Sequence, residues 1–343
     1  MKKWTLGILA ILLLVAGAVF YLSDSRQEPE KEPVNPPAEG PQSYKAPFSG
    51  IEGTEPFDSR PIMAVINNHP DARPQTGLNE ADMVFEMLAE GSVTRFLALY
   101  QSGFPEAVGP VRSARDYFVE LAAGYDGFFV AHGWSPDAKE LLEAGAVEHI
   151  NGLFYDGTLF ERSTDRIAPH NSYITYENIL KGMDEVQASA DYSRRSPYYF
   201  YDSGESDKLM EQASVLEVLY GTSQQFHNKF TYDETAALYS RASRGTATTD
   251  AISGEPMEVS NVLVFEADHE TIDEEGRQSI DLTSGGKALV FQNGGVREAE
   301  WSNLEGMLVP TDNGEPIGLM PGKTWIHIVP EAPGISGSVR YSP

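Results

Sequence analysis

Between Asn67 and Tyr173 the chain concentrates side chains able to hold an anion. The run Val108-Gly109-Pro110-Val111-Arg112-Ser113-Ala114-Arg115 opens on a Gly-Pro turn and carries two arginines three positions apart, at the start of a predicted helix over 113–123. On a helix that spacing puts both guanidiniums near one face. Cations at a helix N-terminus oppose the macrodipole, so a negative partner is expected: a carboxylate of the protein, or a bound phosphate that also takes the free backbone N–H groups. Arg95, shortly after Glu90-Gly91, is expected to project toward the same region. Arg95, Arg112 and Arg115 are the anion-binding candidates. The competing reading pairs them with Glu86, Glu90 or Asp126 as ties within a sheet.

Further pocket candidates are Asn67, Glu90, His132, His170 and Asn171. His170 and Asn171 follow a proline in Ala168-Pro169-His170-Asn171-Ser172-Tyr173, where they offer donors and acceptors on a stiff loop. His132-Gly133-Trp134-Ser135 closes a predicted strand, the place where ligands enter open α/β sheets. Complete catalytic templates are missing: no H-E-x-x-H, no G-x-S-x-G, no P-loop and no dinucleotide fingerprint. The seven histidines are scattered without ligand spacing and there is no cysteine, so no metal site is assigned. No cofactor is implied. A divalent cation held by Asp or Glu is left as an alternative, with no loop signature to support it.

These groups need a scaffold. Residues 61–68, 94–100 and 127–131 read as buried strands, 81–88 as strand or helix, and 113–123, 136–144 and 176–186 as helices, with Ser135 capping the second. Alternating strands and helices predict an α/β (α+β) domain over 51–195, with a mixed sheet and flanking helices. Beyond it, 196–343 reads as a smaller, mainly β domain. Six short strands, at 217–220, 226–232, 237–242, 262–266, 288–291 and 324–329, alternate with Gly-rich turns such as Asn293-Gly294-Gly295 and Asn313-Gly314. A small barrel or sandwich is the expectation.

The two ends of the charge argument are the surface and the N-terminus. With 51 acidic against 25 basic residues, the net charge of −26 repels phosphate backbones, so nucleic acid is excluded as a general partner. Met1-Lys2-Lys3 precedes an uncharged apolar run over 4–22, long enough as a helix to span the ~30 Å core of a bilayer. Lysines before it and Asp24 after it direct the body outward. Residues 1–22 therefore read as an uncut membrane anchor, or as a signal peptide cut near Ala18 in Ala16-Gly17-Ala18, which would release the protein. Residues 23–50, rich in Pro and Glu, read as a disordered tether.

Several blocks in order resemble one family. They are Ile66-Asn67-Asn68-His69-Pro70, Ala72-Arg73-Pro74-Gln75-Thr76-Gly77-Leu78, Thr94-Arg95-Phe96-Leu97-Ala98, the Gly109 to Arg115 and Ala168 to Tyr173 motifs, Gly285-Gly286-Lys287-Ala288, and Pro321-Gly322-Lys323-Thr324-Trp325-Ile326. Over about 51–335 the chain resembles the YerB-like bacterial lipoproteins. The resemblance implies two domains and an envelope location, and it brings no established reaction. It departs from the pattern at Ala18, which stands where a lipidated cysteine would be, so lipidation is impossible in the chain as written.

Two functions follow. In the first, the chain is a non-enzymatic binding or regulatory factor of the cell envelope whose partner is a cell-wall synthase or wall component. In the second, the arginines serve an enzyme or carrier-lipid binder acting on phosphate-containing envelope precursors. Both require export. The full-length chain is expected to fractionate with membranes and to be digested by protease added outside the cell; recovery in the cytosol would end the export reading.

Overall fold

The computed structural model describes residues 43–202, 205 and 210–343. The predicted anchor and most of the predicted tether lie outside the described residues. The last part of that tether is folded: Ala46 and Phe48 are buried, and Phe48 packs between Tyr125 and Tyr192. Among the described residues no helix is long and apolar enough to cross a membrane.

The N-terminal part supplies β1 (Ile62–Asn67), β2 (Met83–Glu90), β3 (Val93–Tyr100), α1 (Asp116–Gly124), β4 (Phe128–Ala131), α2 (Pro136–Glu143), β5 (His149–Asn151), β6 (Phe160–Arg162), β7 (Ser172–Thr175) and α3 (Tyr176–Glu185). The later part supplies β8 (Val215–Leu219), β9 (His227–Asp233), β10 (Leu238–Ser243), β11 (Asn261–Ala267), β12 (Gly286–Gln292), β13 (Gly295–Leu304), β14 (Met307–Asp312), β15 (Thr324–Pro330) and β16 (Val339–Ser342). Residues 81–88, open between strand and helix in the sequence, are strand from Met83 onward. The continuous apolar run there reflects burial on both faces of a central strand, which hides the alternation of a half-exposed one.

A twelve-stranded mixed sheet runs β14-β13-β12-β11-β15-β2-β3-β1-β4-β5, with two short edge strands added. Its centre is the parallel pair β15–β2, in register from Thr324 beside Met83 to His327 beside Glu86. Strands from either side of residue 195 thus share one hydrogen-bonded sheet. The predicted C-terminal strands do not close into one barrel or sandwich. They divide: β11, β12 and β15 extend the large sheet, while β8, β9 and β10 join β16, a strand beyond those six, and two short strands in a separate six-stranded antiparallel sheet. The difference is written in the burial: β11 and β15 are buried on both faces as central strands, whereas β8, β9 and β10 alternate buried with more exposed residues as one-sided strands do.

Period-two alternation sorts the large sheet into two cores. Met63, Phe85, Leu97, Phe265 and Ile326 face α1, which buries Phe118, Leu121 and Ala122 against them. Ile66, Val84, Phe96, Val264 and Trp325 face the other way, onto Leu216, Phe230 and Tyr239 of the smaller sheet.

That second core contains a fully buried carboxylate. Glu86 Oε1 accepts from Asn68 Nδ2 (3.2 Å), Thr94 Oγ1 (2.9 Å) and Asn228 Nδ2 (3.0 Å). Oε2 accepts from Arg241 (3.0 Å) and the Trp325 indole N–H (3.2 Å). The Arg241 guanidinium lies 4.2 Å over the Trp325 ring, a cation–π contact inside the core. Burial alone would raise the Glu86 pKa; the attraction of Arg241 and His327 and the amide and hydroxyl donors outweigh it and hold it below the usual range.

His327, also inaccessible, meets Tyr220 Oη at 3.1 Å. Tyr220 donates to the Glu86 carbonyl, so His327 Nδ1 must be the donor to the tyrosine and Nε2 is left without a partner. Burial pushes this imidazole down to about 4. An unfolded histidine takes up its proton near pH 6.5, so the unfolded chain binds more protons between that pH and 4, and stability is lost as pH falls through the window. Glu86, itself depressed, adds a loss in the same direction at lower pH. Urea titrations should show unfolding free energy falling by up to roughly 3 kcal/mol from pH 7 to 4 through His327. A His327→Gln chain should have a shallower profile over pH 4 to 6.5. An unchanged profile would mean that the imidazole does not carry this dependence.

Candidate functional site

The parallel strands β1, β4 and β5 end side by side. Asn67, His132 and Asn151 stand at or just past their C-terminal ends, with Arg95 paired across from Asn67 at the start of β3. The segment 109–114 crosses these ends. It is fixed by Asn67 N to Pro110 O, Arg112 N to Val65 O and His132 N to Arg112 O, all between 2.8 and 2.9 Å. Helix α1 begins only at Asp116, so Arg112 and Arg115 lie on extended backbone ahead of it, and the helical spacing expected for them does not apply.

The three arginines consequently part. Arg95 donates to both oxygens of Glu90 (2.6 and 2.8 Å) and to Ser113 O (2.8 Å), and Arg115 donates to Glu90 Oε2 and to Ala114 O. Both are buried, at 2% and 7% exposure. For these two the sheet-tying alternative describes the geometry. Glu90 is held below the usual carboxylate range, because Arg95, Arg115 and Arg112 overcome the effect of burial. Arg112 differs. It is half-buried, and among the described residues no hydrogen bond or ion pair reaches its guanidinium; its Nε is fully buried without a partner. Burial lowers its pKa against the pull of Glu90.

His132 and Arg162 lie beside it. Arg162 Nη2 donates to His132 Nε2 (2.9 Å), so His132 Nδ1 carries the proton and donates to Ser172 Oγ (2.7 Å). Burial, Arg162 and Arg112 depress the His132 pKa, with Asp156 opposing. The ring is therefore neutral, and its one lone pair is already used. It cannot take a proton from Ser172, and no serine nucleophile is set up here. Asp156 grips Arg162 with both oxygens (2.9 to 3.1 Å), and Asn171 Oδ1 accepts from its Nη1 (3.1 Å). Asn171 thus positions Arg162. Gly152 has a purpose in this packing, since a Cβ there would meet the His132 ring at 2.2 Å.

On the other side, Asn67 Oδ1 accepts from His69 N, which turns its Nδ2 toward His170 Nδ1 (both 2.9 Å). His69 stacks on His170 with ring centroids 4.5 Å apart, and its Nδ1 accepts from Asp71 N (3.3 Å). His69, Asp71 and His170 bring ligand atoms within 4.8 Å of one another. The hydrogen bonds nevertheless leave Nδ1 of both imidazoles accepting and Nε2 carrying the proton, which presents donors outward; holding a cation would first require Asn67 to turn over. Burial, His69 and Arg112 lower the His170 pKa.

Across the site four guanidiniums, Arg95, Arg112, Arg115 and Arg162, meet two carboxylates, Glu90 and Asp156. Two positive charges are in excess, and Arg112 is the guanidinium of the four that no carboxylate contacts. Arg162 and Asp156, which the sequence offers as a further guanidinium and a turn just upstream of the Ala168 to Tyr173 motif, join the site, as do Ser172 of that motif and His69. Arg162 ends β6, in a turn-rich stretch of sequence where a charged side chain is the ordinary composition, and its role appears only once β6 and β7 pair.

Residues 48–189 match the family described as "Protein of unknown function (DUF3048) N-terminal domain", and 216–326 match its C-terminal domain. The chain is 43% identical over 333 residues to the Bacillus subtilis protein described as "Putative lipoprotein YerB", covering 96% of each. It also resembles the crystal structure of Bacillus subtilis YerB, with a TM-score of 0.80 and 44% identity over 87% of this chain and 99% of that one.

Because Glu90 answers two buried guanidiniums, Glu90→Ala should cost roughly 3–5 kcal/mol in urea unfolding. A loss below about 0.5 kcal/mol, the level of an ordinary surface substitution, would remove Glu90 from this role.

Proposed function

The chain belongs to the DUF3048 family of YerB-like proteins, and on that premise we propose that it is a membrane-tethered, extracytoplasmic factor of the bacterial cell envelope that binds an anionic ligand at Arg112 without transforming it. The relative described as a lipoprotein supports an envelope location. In this chain the apolar run over 4–22 would serve as the attachment, since Ala18 offers no thiol.

The observation that carries the binding reading is the unanswered guanidinium of Arg112, next to Arg162 and two neutral imidazoles. A half-buried cation that no carboxylate contacts is costly unless something else supplies the negative charge. A phosphate or carboxylate of a wall component or wall precursor has the right chemistry: the planar fork of Arg112 takes two oxygens, and the Nε2–H of His170 adds a neutral donor. Binding is favoured over turnover because His132 is occupied by Arg162 and Ser172, which leaves no free base beside a nucleophile.

Calorimetric titration with inorganic pyrophosphate tests this. One charge-assisted contact is worth about 1.5–3 kcal/mol, so Arg112→Ala should weaken binding by about ten- to a hundredfold, with the melting temperature nearly unchanged. Equal affinity in the two proteins, together with a lower melting temperature in the variant, would assign Arg112 to structure.

A further inference from the structure

A second cation-rich pocket opens where the two family-matched segments meet. It measures about 170 Å³ and is built from other residues: Arg73 and Gln75 on one side, Arg241, Ser243, Thr246 and Thr248 on the other. Ligand pockets for drug-sized molecules run from about 300 to 1,000 Å³, so this one suits a small ion or the terminal group of something larger.

Its charges do not balance. Arg241 and Arg244 both act on Arg73, and Glu86 is the carboxylate that opposes them. Both Glu86 oxygens are already taken by donors within the core. Arg73 is held at about 10, first by burial and then by Arg241. It spends Nε and Nη2 on Asn68, and no hydrogen bond occupies Nη1 among the described residues. Two deeply buried atoms of the pocket residues also lack partners: Ser243 Oγ and Arg241 Nε. Native proteins rarely leave such atoms unsatisfied without a reason. In a chain of net charge −26, a lined recess with this sign is not what average composition would produce.

We propose that this pocket binds a small oxyanion, a phosphate group either free or at the end of a larger molecule, held by the Arg73 guanidinium and the Ser243 hydroxyl with Arg241 as the fixed charge behind them. Its walls come from both segments, so an occupant stabilises the folded state through binding to it alone.

The test is the melting temperature of the full-length protein in detergent, titrated with inorganic phosphate and with glycerol phosphate at constant ionic strength. The expected result is a rise that persists in Arg112→Ala, which separates this pocket from the site proposed above. Arg73→Ala should require at least about tenfold more phosphate for the same rise, the loss expected for one charge-assisted contact. Ser243→Ala should weaken the response in the same direction, and it decides the matter if Arg73→Ala alters folding. A response to both probes marks a terminal phosphate, and a response to inorganic phosphate alone marks the free ion; either supports the pocket. No rise in the unaltered protein, a rise untouched by Arg73→Ala and Ser243→Ala, or one abolished by Arg112→Ala would overturn it.

Discussion

A carboxylate removed from water must be met by donors and a cation, and Glu86 is met from every direction. Asn68 follows β1, Thr94 lies on β3, Asn228 on β9, Arg241 on β10, and Trp325 and His327 on β15. These elements reach one side chain from both sheets and from both halves of the chain. The constraint also sets register. A slip of one residue between β15 and β2 would turn Trp325 and His327 to the opposite face and leave Glu86 exposed to an apolar core without its partners. Hydrophobic burial supplies the bulk of the attraction between the sheets, and the buried network selects which alignment satisfies it.

The same alignment brings the candidate site into being. With β2 and β3 held against β15, Arg95 stands opposite Asn67, and Glu90 at the end of β2 lies within reach of Arg95 and Arg115. One carboxylate then absorbs two guanidiniums. Arg112, on the extended segment that crosses the strand ends, is left with neutral imidazoles and Arg162 for company. Its availability is a result of competition among charges, and that competition depends on distances of a few ångströms.

The element pattern was legible where local chemistry is strong. Ser135 caps α2 as its position before Pro136 implies, and its Oγ accepts from Ala138 N. The strands at 62–67, 93–100, 128–131 and 324–330 were visible as apolar runs bounded by polar residues. The strands at 295–304 and 307–312 were not singled out. In the first, Glu298 and Glu300 face water between partly buried neighbours, and in the second the short apolar run Met307-Leu308-Val309 is broken by Pro310. Glu86 and His327 are ionisable residues inside apolar runs, but nothing local says that the two runs are neighbours.

Sequence alone determined which residue types were available: an unbroken apolar segment behind two lysines, no thiol, an acidic surface, and arginines gathered ahead of a helix. Those properties are local or additive, so they can be read along the chain. Which arginine is free was decided by tertiary structure. Arg95, Arg112 and Arg115 are equivalent as letters. They differ because strand pairing delivers Glu90 to two of them and not to the third, and the electrostatic consequence of a contact exists only once distance and burial are set.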